Sequence, residues 1–361
     1  MAEPLKNYYN AAFVQDVATS FDEVVPDFPK DHFISFVLDA EWENRELRGR
    51  TRHLTAAISH FLKDPFPVSV RYVCEASKTI KGGLNGFFLP DFLSENGMEF
   101  WDESMKAMEI LTAHSTGEFA IRPFIETDFE KAIQQFPEWA THDSEHVRRL
   151  VSEGTRSRLP WASKVASLYQ HPERVISLLE TLHLDSSEYV RRSVANNLND
   201  IAKDHPSLVK AVCKAWYGKT PETSKLVKHA LRTLLKKGDR EALDIIGVGN
   251  AKGIKASALH CSEEVQIGQD LQFELEISNT DLVQMLRVEY AIHYVKSNGS
   301  KSKKVFHWSL NDWKASQTKT LKKKQSFKNM TTRVHYKGEH LLEVIVNGEV
   351  VKQKTFLVIH T

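Results

Sequence analysis

The sequence predicts a multidomain chain, α then β: an α-solenoid of HEAT-like repeats followed by an immunoglobulin-like β-sandwich. Three observations carry this expectation. Up to about residue 246 the apolar residues recur at helical spacing, and no alternating run is long enough for a strand. Within that region a Val-Arg-Arg motif returns at intervals close to 40 residues. Beyond the Gly- and Lys-rich stretch IIGVGNAKGIKAS (245–257) the apolar period changes to two. The expected domains are therefore 1–248 and 249–361.

The repeats come first along the chain. DSEHVRRLVSEGTR (143–156) and SSEYVRRSVANNLND (186–200) place Val147-Arg148-Arg149 and Val190-Arg191-Arg192 43 residues apart. A weaker copy, TSKLVKHALRTLL (223–235), follows 37 residues later with Val227-Lys228-His229. Two helices per unit of about 40 residues is the signature of stacked HEAT-like pairs. Ser144 and Ser187 fall where N-caps belong, with Glu145 and Glu188 in the favourable first turn. Pro160 is read as the first residue of the next helix, which puts Trp161 at a loop–helix junction. In the C-terminal part, LQFELEISN, RVEYAIHYV, SKKVFHWSL, GEHLLEVIVNGEVV and KTFLVI alternate, with Asn-Gly turns at 298–299 and 347–348. About seven short strands in about 110 residues fit a sandwich that lacks the inter-sheet cystine.

Composition narrows the function. The 361 residues include no apolar run long enough for a membrane span, and MAEPLKNYYN has neither the basic nor the apolar region of a signal peptide. Cys74, Cys213 and Cys261 match no zinc or redox spacing, and the 16 histidines form no HExxH motif. A reducing cytoplasm, no metal and no cofactor are the expectation. KGGLNG (81–86) lacks the lysine and hydroxyl of a P-loop and reads as a turn. The net charge of +1 hides an asymmetry. Residues 249–361 carry 17 Lys/Arg against 11 Asp/Glu, and the preceding residues carry 31 against 36.

On a helical wheel, Val147, Leu150, Val151 and Gly154 share one face, and Arg149, Ser152, Glu153 and Arg156 the opposite one. In the second copy Val190, Val194 and Ile201 pack, Arg192, Asn196, Asn199 and Lys203 face away, and Asp200 lies at the border. The two copies thus share a polar stripe with acids set among cations. Taken alone it reads first as solvated surface, with Arg149–Glu153 a plain i,i+4 pair. It also suits phosphate and sugar contacts. Glu118, directly before Phe119-Ala120-Ile121, reads either as a helix-start acid or as a partly desolvated carboxylate. An indole beside carboxylates is what a cation-binding site needs. In the sandwich, Lys296, Lys301, Lys303 and Lys304 sit at a hairpin tip, and Lys322, Lys323 and Lys324 on a strand edge or loop. Both runs fit edge protection or a grip on a phosphate backbone.

Together, GEFAIRPFI (117–125), EGTRSRLPW (153–161) and EYVRRSVANNLNDIAKDHP (188–206) resemble the AlkC-type branch of the AlkD-like alkylpurine DNA glycosylases. These are HEAT-like repeat enzymes of base excision repair, often with a C-terminal immunoglobulin-like domain, and the resemblance spans essentially the whole chain. It implies catalytic roles for Glu118, Glu153 and Trp161. It also implies a DNA-facing cleft around Arg149, Arg156, Asn196, Asn199 and Asp200, while Arg192 and Lys203 suit phosphate by their place on the polar stripe. Val165 stands where the AlkD branch has an aspartate four residues after its cleft tryptophan, so the resemblance hands that acid's task to Glu118 and Glu153. The implied activity is a monofunctional, metal-independent glycosylase. It would remove 3-methyladenine and 3-methylcytosine from duplex DNA without full base flipping, as a cytoplasmic monomer associated with the nucleoid. The competing readings are a HEAT-type protein scaffold and a non-catalytic sensor of alkylated DNA.

Overall fold

The computed structural model describes residues 4–279, 282–330 and 333–360. The first three residues of the stretch read as having no leader lie outside them. The chain divides into two compact units, residues 1–205 and 206–361.

The first unit is helical. Its helices are α1 (Ala11–Asp22), α2 (Lys30–Val37), α3 (Leu47–Phe61), α4 (Phe66–Ala76), α5 (Phe88–Asn96) and α6 (Trp101–His114). They are followed by α7 (Ile121–Thr127), α8 (Phe129–Ala140), α9 (Glu145–Gly154), α10 (Ala166–Gln170), α11 (Pro172–Leu182) and α12 (Glu188–Ile201). The first two repeat motifs fall on α9 and α12, each the second helix of a pair, and these two helices pack against each other. Val147, Leu150, Val151, Val190, Val194 and Ile201 are buried, as the wheel requires.

Each motif contains one architectural arginine. Arg148 Nη1 donates to the carbonyl oxygens of His142 and Asp143, both at 2.8 Å. Arg191 Nη1 does the same for Asp185 and Ser186, again six and five residues back. Arg148 also binds Asp185 of the next repeat through two bonds, Nε to Oδ2 at 2.6 Å and Nη2 to Oδ1 at 3.0 Å. Ser144 and Ser187 occupy the N-cap positions, but neither hydroxyl caps its helix, and that of Ser187 donates to Glu145 instead. Ser187 therefore links the two repeats instead of capping its helix.

The second unit opens with α13 (Pro206–Trp216), α14 (Pro221–Ala230), α15 (Arg232–Lys236) and α16 (Arg240–Ile245), with the third motif on α14. Nine strands follow among the described residues. They are β1 (Ile254–Ala256), β2 (His260–Cys261), β3 (Glu264–Gln266), β4 (Asp270–Asn279), β5 (Gln284–Val295), β6 (Lys301–Trp313), β7 (Gln317–Ser326), β8 (Gly338–Val346) and β9 (Glu349–Ile359). One sheet runs β1-β4-β2 with β7 on the other side of β4, and the other runs β3-β9-β8-β5-β6. All pairs are antiparallel except β3 with β9. Leu271, Phe273, Leu275 and Ile277 of β4 meet Leu286, Val288, Tyr290 and Ile292 of β5 in the core. These nine strands stand where about seven were expected, and the least legible are β1 to β3, whose two or three residues show no period.

The two Asn-Gly turns differ. At Asn347-Gly348 both φ angles are positive, 50° and 88°, the left-handed pair of a two-residue hairpin. At 298–299 only Gly299 is left-handed, in a longer loop closed by Lys296 N to Ser300 O at 2.8 Å. Cys74, Cys213 and Cys261 are free thiols. Burial pushes Cys213 up to about 12 and the other two up to about 11, which leaves them weakly nucleophilic.

Candidate active site

The polar face of α9 is not solvated. Ser152, Glu153 and Arg156 are buried where α9 meets α12. A buried charge must be paired, and here the pairing forms an alternating ladder. Lys203 Nζ binds Asp200 at 3.0 Å, and Asp200 accepts from Arg156 Nε at 2.8 Å. Arg156 Nη1 binds Glu153 Oε1 at 2.6 Å, and Arg149 Nη2 stands 3.7 Å from that oxygen. The same Arg149 nitrogen binds Glu118 Oε2 at 2.9 Å. Three cations and three acids thus alternate from α12 through α9 to the turn that precedes α7.

The two glutamates are held differently. Glu153 has both oxygens engaged, Oε1 by Arg156 and Oε2 by the Ser193 hydroxyl at 2.5 Å. The Ser193 oxygen also lies 3.0 Å from Ser152 Oγ, from which it can accept, and Asn197 donates to the Ser152 carbonyl at 2.7 Å, so α12 fastens this carboxylate to its own helix. Glu118 is held through Oε2, by Arg149 and by the Thr116 hydroxyl at 2.8 Å. It lines an open cleft of about 330 Å³ together with Gly83, Leu84, Phe87, His146, Arg149 and Tyr189. The Tyr189 ring carries the Arg149 guanidinium 4.7 Å from its centroid. Burial would strip charge from Arg156, but the fields and hydrogen bonds of Glu153 and Asp200 outweigh it and hold its pKa above the usual arginine value.

The structure therefore brings together Glu118, Arg149, Glu153, Arg156, Asp200 and Lys203. It corrects four expectations. Pro160 does not start a helix: residues 155–165 are non-helical, α10 begins at Ala166, and Pro160-Trp161 form a turn. Trp161 stands in that turn with φ +67°, in the left-handed region, and is 66% exposed. Asn199 and Asp200 are buried and Asn196 is half-buried, so this part of the stripe faces protein rather than solvent. Arg192 does extend into solvent and pairs with Glu188 at 3.4 Å, outside the ladder.

The lysine runs of the sandwich lie on strands of the second unit. Lys301, Lys303 and Lys304 begin β6, and Lys322, Lys323 and Lys324 lie in β7, each an edge strand. The fourth correction concerns β7. Successive side chains point to opposite faces, so Lys322 and Lys324 are exposed while Lys323 is half-buried opposite Phe273. Several are already neutralised: Lys303 by Glu343 at 2.6 Å, Lys301 by Glu339 at 3.2 Å and Lys322 by Glu274 at 2.9 Å. Sequence reasoning missed Arg122, Ser193, Asn197 and Tyr189. Ser193 and Asn197, four apart among the apolar residues of α12, were the legible sign that this helix has a polar packing face.

Among the described residues no group of three or more His, Cys, Asp or Glu could hold a metal ion, and no helix is long and apolar enough to cross a membrane. The family model of the DNA alkylation repair enzymes matches residues 112–244, which include the whole ladder. A second model, the C-terminal Ig-like domain of the uncharacterised protein YhaZ, matches residues 255–360. The Bacillus subtilis protein YhaZ is 42% identical over 355 residues, 98% of this chain and 99% of that one. The structure of the Pseudomonas fluorescens alkylpurine DNA glycosylase AlkC, bound to DNA containing an abasic site analog, is 32% identical. It covers 99% of this chain and 100% of its own, with a TM-score of 0.95. Likeness at that level over the full length of both chains settles the relationship: this chain belongs to the family of the alkylpurine DNA glycosylase AlkC.

Proposed function

We propose that the protein is a DNA glycosylase of alkylation repair. It would hydrolyse the N-glycosidic bond of cationic N-alkylated bases, 3-methyladenine and 3-methylcytosine among them, in duplex DNA. The observation that carries this reading is the contrast between the two glutamates. Glu153 has both oxygens engaged inside the protein, one by Arg156 and one by Ser193, while Glu118 is held by one oxygen at the wall of an open cleft. In this reading Glu118 addresses the substrate, and Glu153 sets the arginines.

The chemistry suits a carboxylate without an acid. A ring-alkylated base already carries positive charge, so it leaves with the glycosidic electron pair as a neutral base. The sugar becomes oxocarbenium-like, and water adds at C1′ and loses a proton. A carboxylate preorganised by Arg149 and Thr116 stabilises the developing charge and orients that water. The exposed indole of Trp161 offers an aromatic face to a cationic base. No metal enters this scheme, and among the described residues lining the Glu118 cleft none is a lysine, so the scheme uses no Schiff base and its product is an abasic site. Reaction without full base flipping fits a carboxylate at an open cleft wall, in place of the enclosed pocket that a flipped base requires.

The test is release of free base from duplex DNA carrying 3-methyladenine or 3-methylcytosine, under single-turnover conditions. Release by the wild-type protein, reduced 10²- to 10³-fold in Glu118→Gln, is expected, the usual cost of one lost electrostatic contact of this kind. Tight binding of alkylated duplex without release of either base would make the protein a damage sensor instead.

A further inference from the structure

We infer that Arg122 is a positioning residue for the active site, a buried clamp that fixes the 154–163 segment so that Arg156 meets the carboxylates and Trp161 is held outward. The inference rests on the glycosylase reading above. Arg122 lies in the first turn of α7, four residues after Glu118, and is only 2% exposed. Its Nη1 donates to the carbonyl oxygens of Gly154 at 3.0 Å and Arg156 at 2.9 Å, and its Nη2 to that of Ser163 at 2.8 Å. Nε is buried without an acceptor.

None of these three acceptors is a carboxylate. A buried guanidinium balanced by carbonyl dipoles is costly, and burial does lower the Arg122 pKa below the usual arginine value. The three carbonyls also explain why the cost is met. The Gly154 carbonyl ends α9 and has no helical partner, and Arg156 and Ser163 stand in the non-helical stretch before α10. One planar fork satisfies all three and grips the segment on either side of Trp161. That residue sits in a conformation unfavourable for any side chain with a Cβ, and the 66% exposed ring recovers little by packing. Strain of this kind persists only where the surroundings enforce it. Arg122 supplies the enforcement, and because α7 directly follows the Glu118 turn, it ties the Glu118 element to the segment bearing Arg156 and Trp161.

The test compares wild type, Arg122→Lys, Trp161→Gly and the double variant. Lysine keeps the charge but cannot span three carbonyls. Arg122→Lys is expected to bind duplex containing an abasic-site analogue within about 3-fold of wild type. Its single-turnover base release should fall at least 30-fold. Its effect should shrink at least 10-fold in the Trp161→Gly background, since a clamp has less to do once the strained indole is gone. Effects that multiply, or a wild-type rate in Arg122→Lys, overturn the proposal. Two readouts need no turnover. Arg122→Lys should lower Tm by about 3 °C less in the Trp161→Gly background than in wild type. Acrylamide quenching of Trp161, taken as the difference from Trp161→Phe, should change when Arg122 becomes lysine. Equal Tm losses in both backgrounds, or unchanged quenching, also overturn the clamp. A wild-type protein that releases no base defeats the glycosylase reading alone, and these two readouts then still decide the role of Arg122.

Discussion

At the scale of single residues, the two glutamates and the tryptophan separate stability from activity. Glu118 is at the cleft wall, so Glu118→Gln should abolish most base release with little change in urea midpoint. Glu153→Ala removes one partner of a buried ion pair. Breaking such pairs costs about 3–5 kcal/mol, and Asp200 remains to balance Arg156, so the low end, about 3 kcal/mol, is expected in equilibrium urea unfolding. An equal loss in Glu118→Gln would mean that Glu118 is a structural acid. Trp161 should show the opposite sign. Trp161→Gly relieves a left-handed φ of +67° on a residue with little buried surface, and should raise stability by about 0.5–1 kcal/mol while slowing base release. A destabilised Trp161→Gly would show that the ring earns its place by packing.

At the scale of elements, α9 is the shared part, packing against α12 while its last residue touches α7. A Cβ on Gly154 would lie 2.6 Å from Ile121 Cγ2, on a β-branched side chain with little freedom to move. Gly154→Ala should cost about 1–3 kcal/mol and slow base release by shifting Glu153 relative to Glu118. The Arg148–Asp185 pair joining the two repeats has a pH signature. Burial raises the Asp185 carboxyl, but the Arg148 hydrogen bond, the Ser187 N–H and the charges of Arg148 and Arg191 outweigh it, and its folded pKa is lowered. A depressed carboxylate contributes stability above its unfolded value, about 3.9, and loses it as pH falls through the folded value. Asp185→Asn should therefore be less stable than wild type at pH 7, with the gap closing below about pH 4. A gap independent of pH would mean that the contribution is not electrostatic.

At the scale of the whole molecule, the basic excess of residues 249–361 can be tested directly for a role in DNA binding. Lys322 and Lys324 share the exposed face of β7, and Glu274 already holds Lys322. If both reach phosphates, Lys322→Ala/Lys324→Ala should weaken duplex binding and reduce the slope of log K against log salt by about 2, since each contact contributes about 0.9. An unchanged slope would assign these lysines to edge protection. A truncation at residue 249 is the poorer experiment. Helices α13 to α16 belong to the same compact unit as the sandwich, and Asn347 Nδ2 binds the Gly249 carbonyl at 2.9 Å.

The order of helices and strands and the repeats were legible because each rests on local chemistry: a helical period, a period of two, a motif returning after 43 residues. Long strands such as β4 and β5 could be read for the same reason, and β1 to β3 were too short to show a period. The sequence by itself thus determined the fold class, and its resemblance to a known family singled out Glu118, Glu153 and Trp161 as candidates. What it could not show is which side of a polar helix face meets water. The wheel put Glu153 and Arg156 opposite the apolar residues, which on a lone helix means solvent. Only the packing of α9 against α12 turned that face inward and made the charges into a ladder. Arg122 stayed hidden for a related reason: its partners are backbone carbonyls at residues 154, 156 and 163, and no side-chain pattern announces a carbonyl.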